Sequence, residues 1–347
     1  MSYLFSNGLN RRSLLKTMAA GAGLAGAGTL VNIVPGFAQD TFKVSMQLGW
    51  LAGNGNLGEI AADKLGYFAE EGLEFEIVPG GPNVDGVASV ASGRSNLGQV
   101  SSSPSLMLAR SAGIPVKCIA AGYQQHPYTY FSLKKNPIKT PQDMIGKTIG
   151  TQATGRILFR ALLAKNGISE DQVELKVIGS DMAPLLTGQV DAITGWKTNV
   201  NALSILGDQR VDMSLWDAGI QLYANPFYTT DSVLNEHGDK VQAMIRAISR
   251  GWGWVRENQE EAVNYLVERL PNLDRESELK AVPLVVGYSF NEKTAENGWG
   301  TMTRENWQAQ IETYANLEQF ANGAPAVDDV MTLSVLESTA DTRPKVG

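Results

Sequence analysis

Four consecutive stretches of this chain read strand, turn, helix, strand, and that alternation constrains the fold more than any other feature. "FKVSMQLGW" leads through a Gly/Asn turn into "EIAADKLGYFAEEG" and then "LEFEIV". "NLGQVSSSPSLMLARSAGIPVKCIAAGY" repeats the plan, with Ser103 as the helix N-cap and Pro104 at the first helical position. In "KTIGTQATGRILFRALLAKNGI" the helical stripe is Leu158, Leu162 and Leu163, and Gly167 supplies the stop. "GQVDAITGWKTNVNALSILG" gives the pattern once more. Alternation of this kind predicts an α/β architecture with largely parallel strands. From about Asp239 the pattern turns helical. Val241, Ile245, Ile248, Trp252 and Val255 fall three or four apart, which makes one apolar face and puts Trp252 in the core. "ENWQAQIETYANLEQF" is a second amphipathic helix, and "DDVMTLSVL" is a short final addition.

Residues 1–39 carry Arg11, Arg12 and Lys16 and no acid, then an apolar run rich in Gly and Ala, then Gly36 and Ala38 as small residues suited to signal cleavage. This is the pattern of an export signal cleaved near Ala38. The arginine pair in "NRRSLLK" and the weak hydrophobicity of the run resemble a twin-arginine signal. The run is only marginally long for the roughly 20 apolar residues of a span, so the expectation is a periplasmic protein with no span in its mature form. Removing the signal's three cations takes the formal charge from −7 to about −10. Nucleic acid and anionic membranes are poor partners for such a surface. The single cysteine, Cys118, lies in the apolar "IPVKCIAAGY", so it reads as a buried structural thiol and not as half of an internal disulfide.

Gly53, Gly55 and Gly58 spell G-x-G-x-x-G between a strand and a helix, which raises a dinucleotide site. Two neighbours argue against it. Glu59 puts a carboxylate in the first helical turn, where a pyrophosphate would sit. The second strand's last acid, Glu76, stands short of the strand end, where a ribose partner is needed. An exported NAD-dependent oxidoreductase is therefore the weaker reading of this loop.

The phrases "AADKLGYFAEEGLEFEIVPGG", "VASVASGRSNLGQVSSSPSLMLARSAGIPVKCIAA", "IKTPQDMIGKTIGT", "LLTGQVDAITGWKTN" and "GWGTMTRENWQAQIETY", taken in order, carry a family resemblance over nearly the whole mature chain. The sequence resembles the periplasmic substrate-binding proteins of ABC importers that serve nitrate, sulfonates, taurine and thiamine-pyrimidine precursors. "GWKTNVNALSILG", with Asn199, is most similar to the branch that binds pyrimidine thiamine precursors and related heterocycles. The resemblance implies a two-lobe α/β "Venus flytrap" of type II with two chain crossings and extra C-terminal helices. Lobe 1 is then 40–130 plus 229–347 and lobe 2 is 131–228, with crossings near "YTYFSLKK" and "NPFYTTDS". It implies a monomer that closes on a small-molecule ligand and delivers it to permease and ATPase subunits, with no cofactor.

Open α/β sheets put their crevices at the carboxyl ends of strands, which nominates the candidate ligand-binding residues. Trp50 offers a stacking face, and Asn54 and Asn56 offer amides that donate and accept, although Asn beside Gly is equally a turn signal. Ser101, Ser102 and Ser103 sit at a helix start, and Gln125 and His126 lie just before the first crossing. In the second lobe Thr151, Thr154, Gly155 and Arg156 form another helix start, a geometry that favours an anion or a carbonyl oxygen. Arg156 reads equally well as a surface residue. Trp196 follows a strand, and Tyr223 and Phe227 lie near the second crossing, as ring contacts or as hinge packing. Asp191 reads as a structural N–H acceptor. Aromatics flanking a cleft suit a flat heterocycle; a small oxyanion such as nitrate, a sulfonate or taurine is the alternative.

Enzyme readings have little support. No G-x-S-x-G surrounds the serines, and only His126 and His237 exist to act as a histidine base. Metal-binding spacings are absent from the sequence. The fungal thiamine-pyrimidine synthase resembles these binders but carries a cysteine-rich motif, which a chain with Cys118 alone lacks.

Overall fold

Two five-stranded sheets organise the chain: the second is built from five consecutive strands, and the first takes its fifth strand from beyond them. The computed structural model describes residues 41–81 and 84–347, so the export-signal reading of 1–39 lies outside the described residues. The first sheet contains β1 (Phe42–Leu48), β2 (Leu73–Val78), β3 (Leu97–Gln99) and β4 (Val116–Tyr123). The second contains β5 (Tyr128–Leu133), β6 (Thr148–Thr151), β7 (Glu174–Val177), β8 (Ala192–Trp196) and β9 (Arg210–Ser214). The last strand, β10 (Ala224–Thr230), returns to the first sheet, whose order is β2-β1-β3-β10-β4. The order of the second is β7-β6-β8-β5-β9. β1 is parallel to β2 and β3, and β6 to β7 and β8. The inserted strands β10 and β5 run antiparallel to their neighbours.

Both inserted strands are buried at every position, as strands covered on both faces must be. The chain therefore passes between sheets at 124–127 and 215–223, a few residues ahead of the segments that read as crossings in the sequence. Within β10 the sheet accepts Asn225 and Pro226, residues common in turns, at an irregularity. Asn225 adopts φ +49°, the register shifts between Phe227 and Tyr228, and the Pro226 carbonyl accepts from the Val100 N–H at 3.2 Å.

The long helix Asp231–Glu257 lies on the first sheet, capped by the Thr230 hydroxyl, which accepts from the Val233 N–H at 3.2 Å. Its predicted stripe is buried throughout, with Val241, Ile245, Ile248, Trp252 and Val255 at most 1% exposed. This stripe packs on helix Leu57–Lys64 at very close range. A Cβ on Gly58 would come within 2.2 Å of the Trp252 ring, and one on Gly251 within 2.0 Å of the Gly58 carbonyl. The third glycine of the fingerprint thus serves helix packing. Helices Arg275–Ser289 and Arg304–Asn316 continue the C-terminal block, and they touch the second-sheet helices Val200–Leu203 and Arg156–Lys165 respectively. The closing segment covers the outer edge of β4, where Thr332 N–H donates to the Cys118 carbonyl at 3.0 Å. Among the described residues no helix is long and apolar enough to cross a membrane.

Candidate functional site

A cavity of about 850 Å³ opens at the carboxyl ends of β1, β3, β6 and β8, with walls from both sheets. That volume lies within the ~300–1,000 Å³ usual for small-molecule sites. The turn after β1 contributes Trp50, Asn54 and Asn56, and the segment after β3 contributes Ser101 and Ser102. From the second sheet come Thr154, Gly155, Trp196 and Asn199, while His126 lies in the passage between the sheets. One tryptophan from each half thus borders the same space. Trp196 is further held by the edge-on His126 ring, 5.4 Å away between centroids.

Six other sequence candidates lie outside this wall. The Ser103 hydroxyl is fully buried and donates to Gln310 Oε1 at 2.5 Å, so it neither caps its helix nor faces the cavity. Thr151 is buried behind the wall, where its hydroxyl joins Tyr128 Oη at 2.6 Å and Thr194 Oγ1 at 2.7 Å. Tyr223 is buried, and its hydroxyl accepts from the Thr303 N–H at 3.0 Å. Phe227 packs on Trp299 in the core of the first sheet, with ring centroids 5.7 Å apart. Gln125 is half-buried, and Arg156 is exposed at the start of helix Arg156–Lys165. A helix start near a cleft is visible in a sequence; the side of the helix that faces the cleft is decided by packing. Asp191 does accept N–H groups, from the Thr148 backbone and the Asn136 amide, each at 2.8 Å.

The wall also contains residues that the sequence did not nominate, notably Gln99, Tyr128, Gln152, Thr194, Asn225 and Glu278. Gln99 ends β3, directly before the Ser-rich turn, and strand-end position was the available signal. Glu278 sits on a helix far along the chain, and nothing local marks it.

Hydrogen bonding fixes the polarity of several groups. His126 is buried, and that burial pushes its pKa down to about 3. Its Nδ1 accepts from the Tyr128 N–H at 3.2 Å, so the neutral ring carries its proton on Nε2. That nitrogen is 2.5 Å from Ser102 Oγ and donates to it, which leaves the Ser102 O–H to donate elsewhere. An imidazole arranged this way is a poor base for that hydroxyl. Behind the first turn, Glu59 is fully buried, and its Oε1 accepts from Gln99 Nε2 at 2.9 Å and Asn56 Nδ2 at 3.5 Å. Burial pushes the Glu59 carboxyl up to about 7. Asn56 Nδ2 also donates to Gln99 Oε1 at 3.0 Å, so the buried acid holds both wall amides in one orientation. Asn54 reaches across the mouth, its Nδ2 donating to the Thr198 carbonyl at 3.2 Å and to Glu278 Oε2 at 2.9 Å. Cys118 lies in the middle of β4, fully buried, with its thiol pushed well above the usual range by burial.

The sequence profile described as NMT1/THI5-like matches residues 55–262. This chain belongs to the NMT1/THI5-like family. The formylaminopyrimidine-binding protein of Halalkalibacterium halodurans is 28% identical over 65% of this chain and 69% of its own. The riboflavin-binding protein RibY of Chloroflexus aurantiacus is 27% identical over 59% and 61%. A 4-amino-5-hydroxymethyl-2-methylpyrimidine phosphate synthase of Schizosaccharomyces pombe is 25% identical over 60% and 64%, so the NMT1/THI5-like likeness takes in named binders and a named enzyme. Among solved structures, the alkanesulfonate-binding protein SsuA of Xanthomonas axonopodis pv. citri, bound to MOPS, aligns with a TM-score of 0.62. It is 17% identical, and the alignment covers 84% of this chain and 99% of SsuA, which establishes a periplasmic-binding-protein fold for this NMT1/THI5-like chain.

Proposed function

We propose that this protein is the exported solute-binding component of an ABC importer, and that it captures a small aromatic heterocycle between its two lobes. The reading rests above all on Trp50 and Trp196, one from each half, bordering a single cavity whose wall combines aliphatic side chains with amides and hydroxyls. Such a wall offers stacking faces to a flat ring and donors and acceptors to its edge. Pyrimidine and riboflavin binders among the relatives support the same ligand class. Hinge closure on the ligand would give the permease and ATPase a loaded form to recognise.

Nitrate, a sulfonate or taurine is the second reading, kept open by the start of helix Arg156–Lys165, where Thr154 and Gly155 line the cavity. The expected role is binding without turnover, in keeping with a weakly basic His126 and a cysteine remote from the cavity. The test is to denature the purified mature protein and identify any released compound by mass spectrometry. Thermal shifts against pyrimidines, flavins, sulfonates and nitrate then follow. A ligand at 100 times its Kd stabilises the folded form by about 2.7 kcal/mol. Turnover of any of these compounds, or binding of none, would overturn the reading.

A further inference from the structure

The cavity wall has an unbalanced charge. Among the described residues it contains two carboxylates, Asp85 and Glu278, and no lysine or arginine. His126, in the same wall, is held neutral by burial. Asp85 is exposed, and its Oδ1 is occupied as the cap of helix Gly86–Ala91, accepting from the Ala88 N–H at 2.9 Å. Glu278 differs. It is only 8% exposed, it has no cation within ion-pair distance among the described residues, and its Oε2 accepts from Asn54 Nδ2. Its Oε1 takes no hydrogen bond from the described residues and is not sealed from solvent. A carboxylate this poorly solvated and lacking a counter-charge gains strongly from an added N–H donor or cation. An anion seated beside it would meet repulsion that the low local dielectric strengthens.

We propose that Glu278 is the charge-selecting residue of the cleft: its open carboxylate oxygen receives an N–H group or cationic nitrogen of the ligand and excludes phosphorylated or sulfonated forms of the same ring. The inference rests on the heterocycle-binding reading and deepens it. Asn54 holds Glu278 and the Thr198 carbonyl of the second lobe together, so this contact forms where the lobes meet and favours the closed form. A site built around such an acceptor rejects analogues that leave it unpaired far more strongly than a purely apolar pocket does.

Two matched pairs test this: riboflavin with flavin mononucleotide, and thiamine with thiamine monophosphate. Dissociation constants are measured by titration calorimetry on the wild type and on Glu278→Gln. Glutamine keeps an acceptor for Asn54 Nδ2, and thermal unfolding of the variant checks that the wall is intact. For a pair whose ring binds, the phosphorylated member is expected to bind at least 30-fold more weakly to the wild type. In Glu278→Gln that ratio is expected to fall below about fivefold. An unchanged ratio in the variant, or equal or tighter wild-type binding of the phosphorylated member, overturns the role of Glu278 and leaves the heterocycle reading standing. Absence of binding by both rings, with a sulfonate or nitrate bound instead, removes both.

Discussion

Replacing Glu59 by glutamine should make the protein more stable above neutrality, and the size of the gain follows from burial. The carboxyl is fully buried and is pushed from 4.5 to about 7, which means that the folded state resists its ionisation. Between those values the folded chain holds a proton that the unfolded chain has released, so stability falls as pH rises from about 4.5 to 7. A shift of that size corresponds to about 3 kcal/mol, absent below pH 4.5 and fully present above 7. Glutamine mimics the protonated acid and removes the slope. His126 works in the opposite sense: its folded pKa, pushed from 6.5 to about 3, stabilises the protein increasingly as pH rises to 6.5. The two slopes oppose each other between about 4.5 and 6.5, so wild-type stability alone is a poor readout there. The difference between variant and wild type isolates Glu59, because the other titratable group set against it, Tyr123, is raised well above 10 and is silent in this range. Urea unfolding of both proteins from pH 4 to 8.5 measures that difference. The expected curve is near zero at pH 4 and rises toward 3 kcal/mol at pH 8. A flat difference, or a variant less stable at pH 8, would refute the account of a buried acid held against its ionisation.

Three further outcomes check other parts of the structure. Trp50→Ala and Trp196→Ala should each weaken a bound heterocycle by roughly 5- to 150-fold, matching about 1–3 kcal/mol for stacking on an aromatic side chain; calorimetric titration decides this, and a loss under twofold would remove that ring from the contact. Arg156→Ala should leave affinity within about twofold, because the side chain is exposed outside the cavity wall. Gly58→Ala should destabilise the fold by about 1–3 kcal/mol through the collision with Trp252, read as a lower urea midpoint with an unchanged slope.

The alternation of strands and helices determined the α/β class, and the Val241–Val255 stripe determined the buried face of helix Asp231–Glu257, because both are local periodicities that need no knowledge of partners. The strand-end positions of Trp50, Ser102 and Trp196 were legible for the same reason: the carboxyl ends of parallel strands are where such crevices lie. The place of Asn225 and Pro226 inside β10 was not legible, because it depends on pairing with β3 and β4, strands that lie far away in the chain. The same limit applies to the site. Ser103 and Arg156 sit at helix starts and Thr151 at the end of β6, all near the cavity, but packing turns their side chains into the core or into solvent. Glu59 already argued in the sequence against a phosphate loop at the glycine pattern, but only the structure shows what Gly58 makes room for: Trp252, nearly two hundred residues later. Glu278 entered the wall by the same route, carried there by a C-terminal helix and held by Asn54. Sequence determines which chemistry each segment carries; only tertiary packing decides which of those groups share one cavity, because that depends on contacts between residues that no local pattern links.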